Sequence, residues 1–396
     1  MELAVGIGDA LGTDYFHLRE RLTPQQRDYL ERTREFVDRD VLPVINGYWE
    51  RAEFPWPLVK QLGALGIVGD GIEGYGCPPM DPFSAGLIAM ELSRGDGSVA
   101  TFVGVQAGLA MKSIAMLGSE EQKQTWLPAM ARLEKIGAFA LTEPDHGSDS
   151  IALETSARPD GDSYVINGSK KWIGNGTIAD VVVVYARDTE DHQVKGFLVE
   201  KGTPGYHAEK IEGKGSLRSV WQAEIRLDGV RVPADNRLPG AQTFKDTARV
   251  LVSTRSSCAF AALGHAVAGF DAALSYAKRR TQFGKPLVSF QIVQDRLVKM
   301  LAEITAMQLY CMQIAWLAEE GKLSDTLAGL AKMHNTSKAR TVLAEARDLL
   351  GGNGILLDFH VIRHMADIEA IHTYEGTETI QTLIVGRDIT GVGAFA

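Results

Sequence analysis

Two short stretches hold the residues best suited to chemistry. In Tyr374-Glu375-Gly376-Thr377, Glu375 stands where a non-helical link meets a closing helix. Gly376 permits close backbone approach, and Thr377 can cap the helix. A carboxylate at that point could project into a cleft, where apolar walls would raise its pKa until it could act as base toward a carbon acid. The plainer reading of this motif alone is a solvated Glu favoured by the helix dipole. The second stretch is Thr142-Glu143-Pro144-Asp145-His146-Gly147-Ser148-Asp149, which follows the apolar run Ile136-Gly137-Ala138-Phe139-Ala140-Leu141. Pro, Gly, Ser and two Asp after a strand make a turn with many free polar groups. Its backbone N–H groups, with the hydroxyls of Thr142 and Ser148, could cradle a phosphate. An ordinary surface loop has the same composition.

Other patterns carry less. Gly69-Asp70-Gly71-Ile72-Glu73-Gly74 is a literal G-x-G-x-x-G. A dinucleotide fingerprint needs a strand before it and a helix after it. Here a helical run precedes it, and Tyr75-Gly76-Cys77-Pro78-Pro79 cannot continue as helix, so it reads as a loop. His360 and His364 lie four apart with Asp367 nearby, but no third ligand is spaced to complete a metal site. There is no G-x-S-x-G, and Cys77, Cys258 and Cys311 lie far apart without CxxC spacing. The expectation is no metal, no disulfide framework and no hydrolase machinery.

Positioning these stretches falls to three runs of elements. From Leu22 to about Met130 the pattern is helical: Thr23-Pro24 and Asp81-Pro82 start helices, Gly118 stops one, and Ser119-Glu120-Glu121-Gln122 is a capping box. From Phe139 to about Pro233 the period changes to that of strands. Asn167-Gly168 reads as a two-residue hairpin turn before Lys171-Trp172-Ile173, and Asp228-Gly229 as another turn. Beyond Pro239-Gly240 long Ala- and Leu-rich helices return, and a short helix from about Thr377 to Arg387 closes the chain. The fold class expected is α+β multidomain: an N-terminal helical domain over 1–137, a central β-barrel-like domain over 138–239 and a C-terminal four-helix bundle over 240–396. At 396 residues the chain is long enough for two or three cores. A net charge of −9 argues against nucleic-acid binding. No apolar run reaches the ~18 residues of a membrane span, and Met1 to Gly12 lacks the basic start of a secretory signal. A soluble, cytoplasmic protein is expected.

Taken in order, the motifs form a series. Leu141-Thr142-Glu143-Pro144 with Gly147-Ser148-Asp149, then Lys171-Trp172-Ile173, Arg280 with Gln282-Phe283-Gly284, Gly351-Gly352-Asn353-Gly354 and Tyr374-Glu375-Gly376-Thr377, together resemble the acyl-CoA dehydrogenase family. Within the family the chain is most similar to the branch of glutaryl-CoA dehydrogenases and plant short-chain acyl-CoA oxidases, and Trp172-Ile173-Gly174-Asn175 and Leu349 to Leu356 resemble the oxidases in particular. The resemblance implies non-covalent FAD between the sheet domain and the C-terminal helices. Phe139, Leu141 and Thr142 would line the flavin beside Ile173 and Gly174, and Trp172 would cover its dimethylbenzene face. Gly147 and Ser148 would meet the pyrophosphate or the neighbouring CoA. Arg280, Phe283, Gln291, Asp348, Gly351 and Gly352 would come from a neighbouring subunit to the adenine half, with Thr377 and Thr379 closing over the adenosine side. Arg255, Ser148, Tyr374 and Gly376 would contact acyl-CoA. Shared FAD implies an obligate oligomer, a homotetramer or dimer of dimers, and a dehydrogenase of this kind passes electrons to an electron-transfer flavoprotein. Glu375 would remove the α-proton as hydride leaves the β-carbon for flavin N5. Its own backbone N–H and a ribityl hydroxyl would polarise the thioester oxygen and yield a trans-2-enoyl-CoA.

The chain departs from the family pattern at three places. Where glutaryl-CoA dehydrogenases have a distal Arg and Glu, it has Ala100 and Ser93, and Arg94 lies at a different helical angle. A substrate carboxylate would then be buried unpaired, which disfavours glutaryl-CoA. The family Thr two residues after the tryptophan is Gly174, which opens space beside the flavin and keeps an oxidase using O2 as a rival. The family Gln before the paired glycines is Asp348, which weakens that adenine-side contact. The closing Ala394-Phe395-Ala396 is no peroxisomal tripeptide, which favours a bacterial dehydrogenase over the oxidase. A second rival is a catalytically silent flavin fold that only binds acyl-CoA or a partner. Val99, Phe102 and Val103 could line the acyl pocket or serve as helix core.

Overall fold

The structure is a computed structural model that describes residues 13–394, the side chain of Ser253 excepted. Met1–Gly12 and the last two residues, on which the targeting expectations rest, lie outside the described residues. The N-terminal part is helical: α1 (Pro24–Phe36), α2 (Leu42–Arg51), α3 (Trp56–Ala64), α4 (Pro82–Gly95), α5 (Gly97–Val103), α6 (Lys112–Leu117) and α7 (Glu120–Ala131). The capping chemistry legible in the sequence is realised. Thr23 accepts from Gln26 N at 3.2 Å while Gln26 Oε1 accepts from Thr23 N at 3.0 Å, and Ser119 and Gln122 repeat the exchange. Asp96 ends α4 and starts α5, its carboxylate accepting from Val99 N at 2.9 Å. Between α5 and α6 the residues Gly104–Met111 widen into a π-helix without breaking the rod. The G-x-G-x-x-G stretch is a loop, as expected, with left-handed Asp70, Gly71, Gly74, Tyr75 and Gly76.

The central part is one curled sheet of seven strands: β1 (Gly137–Ala140), β2 (Ser156–Asp160), β3 (Ser163–Gly174), β4 (Val181–Asp188), β5 (Val194–Glu200), β6 (Tyr206–Lys210) and β7 (Gln222–Pro233). Their order is β1-β4-β2-β3-β7-β6, with β5 paired to β4. The run Val181-Val182-Val183-Val184 is buried on both faces, because alternate residues enter different cores. Val181 and Val183 pack with the N-terminal helices, Val182 and Val184 with the inside of the curl. The expected turns at Asn167-Gly168 and Asp228-Gly229 are not turns. Both dipeptides lie inside long strands, facing each other across a bulge between Ile166 and Gly168, where Asn167 Oδ1 accepts from Gly229 N at 2.8 Å. A Cβ at Gly168 would sit 2.5 Å from Thr155 Oγ1, so the glycine serves close approach rather than reversal. The chain reverses instead at Gly161, which joins β2 to β3.

The C-terminal part comprises α8 (Phe244–Arg279), a small hairpin of β8 (Thr281–Gln282) and β9 (Lys285–Pro286), α9 (Gln291–Glu319), α10 (Asp325–Leu349), α11 (Val361–Thr373) and α12 (Glu378–Thr390). The helix α11, which carries both His360-side residues His364 and Asp367, adds to the helices anticipated. Two helical runs, Gly97–Leu117 and Phe244–Arg279, are by length and composition apolar enough to cross a membrane, where the sequence reading found none; more than half of each such stretch is buried against other elements.

Candidate active site

Glu375 sits in the four-residue link Tyr374-Glu375-Gly376-Thr377 between α11 and α12, with φ 56°, and Gly376 follows at φ 83°. A left-handed non-glycine residue costs about 1–3 kcal/mol and persists only where its surroundings over-determine it. Those surroundings are specific. Gln381 Nε2 donates to Glu375 O at 2.9 Å, and Lys332 Nζ donates to both Tyr374 O and Gly376 O. A Cβ on Gly376 would collide with Gln381 Nε2. Thr377 caps α12, its hydroxyl accepting from Ile380 N at 3.2 Å.

The carboxylate reaches α8, where the Thr254 hydroxyl donates to Glu375 Oε2 at 2.6 Å. Burial raises the Glu375 pKa above the ordinary carboxylate range, while the Thr254 hydrogen bond and the charges of Lys332 and Arg255 pull it back. Arg255, next along α8, pairs with Asp325 at the start of α10. Tyr374 is partly buried and packs against both large cores, and desolvation of its phenol pushes the pKa far up. Glu375, Tyr374, Gly376, Thr377 and Arg255 are thus one constellation. Thr254, Lys332 and Gln381 join it unannounced by the sequence reading. Lys332 did leave a signal: it shares the buried face of α10 with Ala328, Asn335 and Ala339, where a cation is out of place.

The second constellation forms at the end of β1. Phe139 and Leu141 are buried, and Phe139 packs on Tyr185 with ring centroids 5.1 Å apart. Thr142 O accepts from Lys171 N at 2.9 Å, which ties the loop to β3. Glu143 is a strut: it accepts from Glu154 N at 2.6 Å, Thr155 N at 2.8 Å and Lys170 Nζ at 2.9 Å. Burial would raise its pKa, but Lys170 and these N–H groups hold it below the usual range. Among the described residues the N–H groups of Gly147 and Ser148 and the Thr142 hydroxyl have no protein partner, which leaves a donor set suited to a phosphate or a polar ring edge. In β3 a register shift between Lys170 and Ile173 throws Trp172 outward at φ 64°, leaving its ring 57 % exposed beside this loop.

Gly174 corrects an expectation. The space beside it is not open: a Cβ there would lie 2.8 Å from Val105 Cγ2, on the π-helical segment. Asn175 then locks the strand end, its Nδ2 donating to Gly137 O at 3.2 Å.

The remaining expected cofactor residues lie elsewhere. Arg280 caps the far end of α8, 26 residues and about 39 Å of helix from Thr254. Phe283 is 93 % exposed, and Gln291 opens α9 nearby. The Gly351-Gly352 turn is tied to that same end by Asn353 Nδ2 donating to Tyr276 Oη at 3.0 Å. Asp348 is engaged by Arg296 at 2.8 Å and Arg347 at 3.0 Å. Thr379 is exposed on α12. Ser93 is buried, and Arg94 is bound to Glu91 and Asp38, each at 2.7 Å. His364 turns to His265, Nδ1 to Nδ1 at 2.8 Å, and burial drives both imidazoles toward the neutral form.

A helical part, a curled sheet and a helical bundle with a carboxylate in the last inter-helix link define a class. Models of the acyl-CoA dehydrogenase N-terminal, middle and C-terminal domains match residues 23–134, 138–230 and 244–390. The chain belongs to the acyl-CoA dehydrogenase family. It is 34 % identical over 362 residues to the mitochondrial short-chain specific acyl-CoA dehydrogenase of Homo sapiens, covering 90 % of this chain and 88 % of that one. Among solved structures it resembles glutaryl-CoA dehydrogenase from Mycobacterium smegmatis at 40 % identity and TM-score 0.95, over 97 % of this chain and 100 % of the other. A second structure of a glutaryl-CoA dehydrogenase from that organism, in complex with FADH2, matches at 38 % identity and TM-score 0.95, over 97 % and 99 %.

Proposed function

We propose that this protein is an FAD-dependent acyl-CoA dehydrogenase that converts a short, uncharged acyl-CoA thioester to its trans-2-enoyl-CoA, with Glu375 as the base. The observation that carries the reading is Glu375 itself, a left-handed carboxylate with raised pKa, held from three sides at the end of α11. A base with a raised pKa can both accept and later release a proton near neutrality. The Glu375 N–H, without a protein acceptor among the described residues, is available to polarise the thioester oxygen. The Thr142–Ser148 donors, the exposed Trp172 ring and the buried Phe139–Leu141 floor fit a flavin edge and its phosphates. FAD, when bound, accepts the hydride equivalent that leaves the β-carbon. Arg280, Phe283, Gln291, Gly351 and Gly352 would serve the adenine half of FAD in a neighbouring subunit, which makes a homotetramer or dimer of dimers the proposed assembly. An electron-transfer flavoprotein is the proposed acceptor.

The preference for an uncharged acyl group rests on Ala100 and Ser93 at the distal positions and on Arg94, whose guanidinium is held by Glu91 and Asp38. A carboxylate left there without a cation would cost several kcal/mol, on the order of 3–5. Anaerobic titration of the flavin with acyl-CoAs of graded length, glutaryl-CoA included, followed by oxygen, tests the whole reading. Bleaching by short acyl-CoAs without peroxide at the turnover rate is expected. Fast CO2 release from glutaryl-CoA would overturn the substrate assignment, and peroxide at the turnover rate would make the protein an oxidase. Glu375→Gln should keep flavin and lose turnover by roughly 10³-fold or more; near-native turnover in that variant would remove Glu375 as base.

A further inference from the structure

Lys332 is 1 % exposed and stands on the buried face of α10, yet among the described residues no carboxylate lies within ion-pair distance of its Nζ. Its ammonium is spent on two backbone carbonyls, Tyr374 O and Gly376 O, which flank Glu375. Gln381, fully buried on α12, takes the carbonyl between them at 2.9 Å. The carbonyls of Tyr374, Glu375 and Gly376 are therefore all pinned by side chains of neighbouring helices.

We propose that Lys332 is a positioning residue for the reaction: by gripping the carbonyls on either side of Glu375 it aims both the carboxylate and the Glu375 backbone N–H. The inference rests on the reading of Glu375 as base. In a trans peptide the C=O and N–H point in opposite directions. Holding Tyr374 O toward α10 turns the N–H of that same peptide, which belongs to Glu375, away from α10. Holding Gly376 O on the same ammonium fixes the other end of the left-handed pair, so Glu375 cannot relax to an ordinary helical or extended backbone. A donor aimed in advance at the place where charge develops needs no reorganisation during reaction.

The positive charge adds a second effect. The groups facing Glu375 are Thr254, Arg255 and Cys258 from α8, Lys332 from α10 and Tyr374 from its own link. Lys332 and Arg255 are the cations among them, and both favour the ionised base. Removing one lets burial raise the Glu375 pKa further, so the acid limb of the rate profile moves to higher pH.

Lys332→Met and Lys332→Gln separate the two effects, because the Gln amide has two N–H donors for two carbonyls but no charge. The FAD-loaded full-length variants are compared with wild type for butyryl-CoA kcat and KM across pH, for exchange of the substrate α-protons with D2O, and for thermal midpoint. In Lys332→Met, kcat and α-exchange should fall about 100-fold with KM within about threefold. In Lys332→Gln most of kcat should return, while the acid limb stays about 0.5–1 pH unit above wild type. Wild-type kcat and an unmoved acid limb in folded variants would overturn the proposal, as would losses that follow only the thermal midpoint. If Lys332→Met fails to fold, the acid limb of Lys332→Gln decides alone. Glu375→Gln run in parallel distinguishes the failures: an active Glu375→Gln removes the base, whereas an inactive one beside unaffected Lys332 variants removes only the role of Lys332.

Discussion

At the scale of single residues, the site depends on side chains that must occupy unusual places. Glu375 takes a backbone conformation that its side chain disfavours, and its carboxyl titrates above the ordinary range because it is buried. As a base it must be ionised, so kcat is expected to rise with pH through that raised pKa, which a pH–rate profile checks directly. Gly174 is the opposite case, a residue defined by what it lacks. Its missing side chain is replaced in space by Val105, so Gly174→Thr must displace a packed methyl. We expect a loss of about 1–3 kcal/mol in denaturant unfolding, largely relieved in Gly174→Thr with Val105→Ala. Equal instability of the single and double variants would show that Val105 does not fill that space.

At the scale of elements, β3 does the positioning. Its two irregularities, at Gly168 and between Lys170 and Ile173, set the close approach to Thr155 and throw Trp172 outward. The loop after β1 is held to it by Glu143, which accepts from Lys170 and from two backbone N–H groups. Glu143→Ala leaves the buried Lys170 ammonium with the Leu141 carbonyl but without its carboxylate, at about 3–5 kcal/mol. Glu143→Ala with Lys170→Met should be closer to wild type, since neither charge is then buried alone; chemical denaturation measures both. The folded Glu143 pKa is depressed, so its contribution is complete above the unfolded value near 4.5 and is lost as pH falls through the folded one.

At the scale of the whole molecule, one chain offers two separated halves of the proposed cofactor site. Glu375 meets α8 at Thr254, in the first third of the helix, while Arg280, Phe283 and the Gly351 turn gather at its far end. Phe283 and Ile292 are exposed to 93 % and 73 % there, an apolar patch suited to a second copy. Phe283→Asp is expected to shift the proposed tetramer to smaller species in light scattering and to lower bound FAD with it. An unchanged mass and full flavin content would separate that end from assembly and cofactor alike.

Capping boxes, hydrophobic periodicity and the order of motifs were local properties, and they were enough for the helix–sheet–helix architecture and for the family. Thr23-Pro24, Asp81-Pro82 and Ser119-Gln122 could be read as helix starts because each cap satisfies groups within three residues of itself. Asn167-Gly168 could not be read correctly, because the same dipeptide suits a turn or a bulge, and only the approach of Thr155 selects between them. The Glu375 motif named its carboxylate. That it is hydrogen-bonded to Thr254 depends on a contact 121 residues apart, and that the carbonyls flanking it are pinned by Lys332 on contacts 42 and 44 apart. Sequence determined which chemistry the chain could perform, through residue type and local spacing. Tertiary structure alone decided how the base is aimed and what fills the space beside Gly174, because both are set by side chains brought from distant helices.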